Sequence, residues 1–137
     1  DGASWRREDA EGSIVEARVV VVCADIDSGR LLRPLGIDVP VMAVKGYSFT
    51  APCGAAAPSV SITDTARKLV FCRLGDRIRV AGLAEVNDWD PSPEPSRVQD
   101  LVSLARASLP EAGDYERIGR HWAGPRPGPP PPRPRRP

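Results

Sequence analysis

The sequence predicts an α+β chain: an antiparallel β-sheet domain carrying one amphipathic helix, together with a remnant of a parallel sheet. Three observations predict it. Arg77-Ile78-Arg79-Val80 alternates charge and apolar bulk, the period of a strand with one wet face. Ser96-Arg97-Val98-Gln99 is a capping box, and Val98, Leu101, Val102, Ala105 and Leu109 follow as one helical stripe. Val19-Val20-Val21-Val22-Cys23 does not alternate at all, as a strand covered on both faces of a parallel sheet would not.

Taken in order, residues 1–27 read as the end of one unit. Asp9-Ala10-Glu11-Gly12-Ser13 is a turn cluster between Ser4-Trp5-Arg6-Arg7 and Ile14-Val15-Glu16-Ala17, which predicts a hairpin leading into the valine strand. That strand needs two covered faces, and the few residues before it cannot supply them. Residues 28–122 read as a second domain. It opens with a short helix at Ser28-Gly29-Arg30-Leu31-Leu32, which Pro34 continues poorly. An extended run from Val39 to Phe49 follows, with Pro40 at its start. Cys53-Gly54-Ala55-Ala56-Ala57-Pro58 is a loop. Three meander strands are predicted at Val60–Thr63, Lys68–Arg73 and Arg77–Ala84, with Leu74-Gly75-Asp76 as the last tight turn. Asp90-Pro91-Ser92-Pro93-Glu94-Pro95 is a stiff linker into the helix, which Pro110 and Gly113 end. Tyr115 to Trp122 reads as the last strand. Residues 123–137 read as a disordered or polyproline tail, because they contain almost no apolar bulk.

Composition narrows the function classes. Half of the 16 prolines lie beyond Trp122. The same tail holds four arginines and no acid, so the net charge of +1 conceals a mildly acidic body. Such a body offers no broad electrostatic reason to bind nucleic acid or an anionic membrane. Cys23, Cys53 and Cys72 form no Cys-x-x-Cys pair, which favours small structural thiols in a reducing compartment. The longest apolar run, Val19 to Ala24, is far too short to span a bilayer. No leader pattern stands at the polar N-terminus. A cytoplasmic location is expected.

No hydrolytic or metal constellation stands out. His121 is the single histidine, so a nucleophile–base pair has one possible base beside a strand-end tryptophan. The bland reading of His121 is a packed or solvent-facing side chain. Acids and cysteines show no metal-ligand spacing. No Gly-x-Gly-x-x-Gly loop is present to cradle a dinucleotide. No residue presents itself as catalytic.

Two motifs remain: Pro40-Val41-Met42-Ala43-Val44-Lys45-Gly46-Tyr47-Ser48, and Trp122-Ala123-Gly124-Pro125-Arg126-Pro127. With Leu31-Leu32-Arg33-Pro34-Leu35-Gly36 and Asp76–Glu85 between them, their order resembles the D-amino acid dehydrogenase family of the D-amino acid oxidase superfamily, from Val19 to Trp122. The resemblance implies the antiparallel substrate domain of a flavoenzyme with one edge of its FAD-binding domain attached. It further implies FAD as cofactor, oxidation of a small D-amino acid to a 2-oxo acid and ammonia, and transfer of electrons to an acceptor such as a membrane quinone. A place at the inner face of a bacterial plasma membrane, without a transmembrane segment, would suit that acceptor.

The resemblance assigns the substrate carboxylate to Arg126, whose planar fork suits bidentate pairing, against the alternative of a tail arginine with no site. Tyr47 is either a second substrate-binding residue or a buried aromatic on a sheet. Gly46 would let backbone approach the flavin. Lys45 faces either solvent or a carboxylate, and Glu85 is either a polar strand cap or a base. Because the dinucleotide-gripping half is absent from these residues, the chain alone is expected to be inactive.

Two departures stand against the family pattern. Asp25 replaces the glycine usual after the valine strand. The text after Arg126 becomes Pro/Arg-rich, as a reading-frame shift in GC-rich coding sequence would make it; an in-frame, family-unlike tail in the DNA would sink that hypothesis. The tail also supports a rival reading, in which Pro131-Pro132-Arg133-Pro134-Arg135-Arg136 is a ligand for SH3-type grooves or its arginines contact phosphates.

Overall fold

A computed structural model describes residues 5–8, 11–86 and 88–129. The proposed SH3-type ligand, Pro131–Arg136, lies outside them. The chain divides into two compact units, residues 1–39 and 40–137.

In the first unit the expected hairpin forms. Strands β1 (Trp5–Glu8) and β2 (Ile14–Ala17) pair antiparallel, Trp5 opposite Ala17 and Glu8 opposite Ile14. The valine strand does not form. Residues 19–23 pair with nothing among the described residues, and Val19 and Val21 are 77% and 79% exposed. A strand exists only through its neighbours' hydrogen bonds, and the described residues form no parallel sheet around this one. Asp25 then takes φ 52°, in the left-handed region where glycine is at ease, which gives its departure from the family pattern a backbone cost. Helix α1 (Ser28–Leu32) is short, as Pro34 requires, and continues as a single 3-10 turn. The described residues of this unit bury no apolar side chain completely.

The second unit is a five-stranded, wholly antiparallel sheet with one helix on one face. Its strands are β3 (Met42–Pro52), β4 (Ile62–Asp64), β5 (Leu69–Leu74), β6 (Arg77–Val86) and β7 (His121–Gly128), in the order β4-β5-β6-β3-β7. Gly75, at φ 65°, closes the β5–β6 turn. The expected alternation is realised: Ile78 and Val80 are buried and Arg79 is exposed. On the covered face Tyr47, Phe49, Phe71, Leu69, Ile78 and Val80 meet Val98, Leu101 and Ala105 of helix α2 (Pro95–Ser108). Phe49 and Tyr115 meet edge to face with centroids 6.2 Å apart.

Three local expectations are corrected. The capping box does not form, since α2 starts at Pro95 and its cap is Glu94, two residues before Ser96. Pro95, with its fixed φ, suits the first turn, and Ser96 Oγ donates to Glu94 instead. The last strand begins at His121, not Tyr115. Residues 114–117 are consumed by a turn in which Arg117 Nε donates to Asp114 at 2.5 Å, while Tyr115 sends its hydroxyl to the Leu109 carbonyl at the end of α2. Residues 123–128, expected in the disordered tail, are instead the body of β7. Backbone pairing to β3 supplies what apolar side chains do not, and Pro125 and Pro127 are tolerated because β7 is an edge strand.

Asp64 ties the β4–β5 turn to the end of α2. One oxygen accepts the Arg67 amide, the other accepts Ser108 Oγ at 2.7 Å and the Arg67 guanidinium. The Ser108 bond first, then Arg67, hold the Asp64 carboxyl down to about 2. A depressed carboxylate stabilises the fold above its unfolded value near 3.9 and ceases to as pH falls through the folded one. Acid titration followed by circular dichroism should therefore show stability falling between about pH 4 and pH 2, less steeply in Asp64→Asn. Leu101→Ala empties a fully buried site and should cost about 2–5 kcal/mol in urea unfolding, well above the half-buried Val102→Ala.

Candidate functional site

Alternation along β3 sends Ala43, Lys45, Tyr47, Phe49 and Ala51 toward α2, and Val44, Gly46 and Ser48 to the opposite, open face. The register extends that face sideways. Arg126 of β7 stands opposite Val44, Gly124 opposite Gly46, and Trp122 opposite Ser48. On the other flank β6 places Ala84 opposite Gly46 and Ala81 opposite Ser48, and Val70 of β5 lies beyond Ala81. Together they floor a concavity of about 740 Å³ that Lys68, Arg79 and Arg120 also line.

One irregularity decides which polar groups reach this face. Between Gly46 and Tyr47 the β3–β6 register shifts by one residue, and Leu83 is the extra residue, at φ 60°. Before the bulge the even-numbered residues of β6 face the helix. After it the odd ones do, so Glu85 lands on the covered side opposite Lys45. There Tyr47 Oη donates to Glu85 Oε2 at 2.5 Å, and Arg97 Nε of α2 donates to Glu85 Oε1 at 2.6 Å. Lys45 Nζ donates to Asp88 Oδ2 at 2.9 Å and lies 5.4 Å from the Tyr47 ring centre.

Each group is tuned by its partner. The Tyr47 hydroxyl and then Arg97 hold the Glu85 carboxyl below its ordinary value. Burial first, then Glu85, pushes the Tyr47 phenol up. The Asp88 hydrogen bond keeps the Lys45 ammonium charged well above its usual range.

The structure thus separates the residues singled out in the sequence. Gly46 and Arg126 share the open face, on paired strands two rungs apart. Tyr47 turns its side chain away from them, into the covered network. Lys45 takes the carboxylate alternative, and Glu85 is ion-paired. Sequence reasoning missed Asp88 as the partner of Lys45, and no local pattern signals it. Arg79 falls on the wet face that its alternation with Ile78 and Val80 predicts, whereas Lys68, in the turn before β5, was passed over.

The open face has the character of a surface made for something to lie against. A β-carbon on Gly46 would meet nothing within 4 Å, so the chain's own packing does not demand glycine there. Glycine in mid-strand weakens a sheet, and close approach of another body is a standing reason to keep it. Gly124 differs: a side chain there would collide with the Trp122 indole, which covers it. The small residues around Gly46 fit a flat aromatic group, and Arg126 fits an anion beside it.

Tyr47→Phe leaves a carboxylate short of one donor and should cost about 1.5–3 kcal/mol near neutral pH. The sign with pH follows from the raised phenol. Its contribution is complete below the ordinary value of 10.0 and is lost as pH climbs through the folded value. Urea unfolding from neutral to alkaline pH should show a steeper decline in wild type than in the phenylalanine variant.

A protein-family model described as FAD dependent oxidoreductase matches residues 1–137. D-amino acid dehydrogenase 2 of Pseudomonas aeruginosa is 40% identical over 131 residues, covering 94% of this chain and 31% of that protein. D-amino acid dehydrogenase of Paramagnetospirillum magneticum is 45% identical over 115 residues, covering 82% and 27%. D-amino acid dehydrogenase 2 of Ralstonia nicotianae is 42% identical over 125 residues, covering 85% and 29%. The chain spans about 30% of the length of these relatives. A family match over the whole chain, on a sheet with a bare glycine and an arginine on its open face, places it in the FAD-dependent oxidoreductase family.

Proposed function

We propose that residues 40–128 form the substrate-side wall of an FAD-dependent dehydrogenase that oxidises D-amino acids. The observation that carries this reading is the open face itself: a β-carbon on Gly46 would meet nothing within 4 Å, and Arg126 stands two rungs away on the paired strand. Bound FAD supplies a two-electron acceptor for the Cα hydride.

Arg126 pairs with the substrate carboxylate through its planar fork and never loses its charge, so it fixes which hydrogen faces the cofactor. Gly46 and its small neighbours leave room for the ring. Tyr47 contributes backbone to the floor of the concavity, while its hydroxyl braces β3 against β6 and α2 through Glu85. No protein base is required of this face. A neutral amine releases hydride from Cα and a proton from nitrogen, and the resulting imino acid adds water to give a 2-oxo acid and ammonia.

The sequence holds no Gly-x-Gly-x-x-Gly loop, so turnover needs a dinucleotide-binding half. In that setting residues 19–23 supply the strand that finds no partner here, and residues 1–27 the edge of the FAD-binding domain. Electrons leave to a quinone or a comparable acceptor. No helix among the described residues is long and apolar enough to cross a membrane.

The test replaces the matching segment of the Pseudomonas aeruginosa relative with residues 40–128 of this chain. The chimera should bind flavin, shown by visible absorbance that bleaches anaerobically with a D-amino acid. Arg126→Ala should lower kcat/KM about 100-fold, since loss of the carboxylate clamp misplaces the reacting carbon. An unaltered kcat/KM would remove Arg126 from the site, and a flavin-loaded chimera that no D-amino acid bleaches would overturn the reading.

A further inference from the structure

The open face carries more positive charge than one carboxylate needs. Lys68, Arg79, Arg120 and Arg126 line its concavity, and no acidic side chain does. None of the four joins an ion pair among the described residues. The acids that could have offset them are engaged elsewhere: Glu85 with Tyr47 and Arg97, Asp88 with Lys45, Asp64 with Arg67 and Ser108.

Position separates the four cations. Arg79 stands opposite Thr50, and the Thr50 amide bonds the Arg120 carbonyl. That rung lies six residues along β3 from Val44, the partner of Arg126, or about 20 Å at 3.3 Å per residue. A small molecule held at Arg126 does not reach it. Lys68 is nearer. Val70 pairs with Ala81, so Lys68 falls beside the Leu83 bulge, next to Ala84, which faces Gly46. Lys68 and Arg126 therefore flank Gly46 from opposite sides across a floor of short residues. Three strand spacings, about 14 Å, separate their backbones across the sheet, with a further two-rung offset along it, and both residues line the concavity between. Lys68 sits at φ 59°, a left-handed conformation uncommon for lysine, at the entry to β5.

We infer that Lys68 is a specificity-determining residue and that the substrates are D-amino acids with an anionic side chain, of the aspartate and glutamate type. This rests on the D-amino acid reading above. Arg126 takes the α-carboxylate and Lys68 the distal one, with the methylenes over the short residues between. A neutral amide of the same shape leaves the ammonium without a counter-charge, so discrimination is electrostatic and weakens with salt.

The chimera described above tests it with D-glutamate against D-glutamine, a ratio that general loss of folding does not move. The kcat/KM ratio should favour D-glutamate by about tenfold or more. Lys68→Gln should bring the ratio toward one, Lys68→Arg should keep it, and added salt should lower it. Equal use of acid and amide by the parent chimera, or a ratio that survives Lys68→Gln, would overturn the inference. If the chimera oxidises no D-amino acid, the reading of the reaction has failed. The subsite is then judged by calorimetric titration of the purified chain. Binding of D-glutamate but not D-glutamine, abolished in Lys68→Gln, supports it; equal binding of both, or of neither, refutes it.

Discussion

The β-bulge at Leu83 is the constraint on which the rest of the sheet depends. A strand sends alternate residues to opposite faces, so one inserted residue exchanges the faces for everything beyond it. Holding a leucine at φ 60° costs on the order of 1–3 kcal/mol. Glu85 is the residue that the exchange relocates. Without the bulge its carboxylate would lie on the open face, opposite Val44. With it, the carboxylate meets Tyr47 and Arg97 beneath the helix. The same step therefore completes a part-buried polar network and clears the open face of negative charge.

That network gives the covered face its polar end. Most of the interface with α2 is apolar, from Phe49, Leu69, Ile78 and Val80 to Leu101 and Ala105. Toward the bulge it becomes a chain of charge-assisted bonds: Lys45 to Asp88, Tyr47 to Glu85, Glu85 to Arg97, Arg97 to Asp100. Charged partners beneath a sheet are tolerable only when their bonds are met, and the described residues leave no buried side-chain oxygen or nitrogen without one. Such bonds have fixed directions, which apolar packing does not. They hold β3 and β6 in one register, and so hold Gly46 in place between Ala84 and Gly124.

The two faces of the sheet thus divide the work. One is closed by the chain's own helix and carries its stability. The other keeps small residues, an exposed indole and four cations without local counter-charges, a composition that makes sense against an anionic ligand and a flat group. The chain belongs to an FAD-dependent family, and the occupant proposed for this face follows from that membership. The first unit shows the complementary condition: a valine segment rich in β-forming residues lies exposed and unpaired, with no second face to bury it.

How much of this was legible in the sequence follows from the range of each interaction. The hairpin at 5–17, the β5–β6 turn at Gly75, the period-two pattern of β6 and the apolar stripe of α2 are local. Turn chemistry and side-chain period determine them within a few residues, so the α+β class and the meander could be read directly. The Gly46 and Arg126 motifs could likewise be located by spacing alone. Which face each side chain joins was beyond that reach. Strand parity changes at Leu83, and no local pattern announces a leucine willing to take a positive φ. Tyr47 consequently belongs with Glu85 rather than with Arg126. The valine run and the proline-bearing end of β7 show the same rule from both sides. A strongly β-forming segment stays unpaired where no neighbour offers hydrogen bonds, and a poorly β-forming one becomes a strand where β3 does. Composition and period determined what each segment was able to form; partners brought from elsewhere in the chain decided what it became, because a strand's hydrogen bonds lie outside the strand.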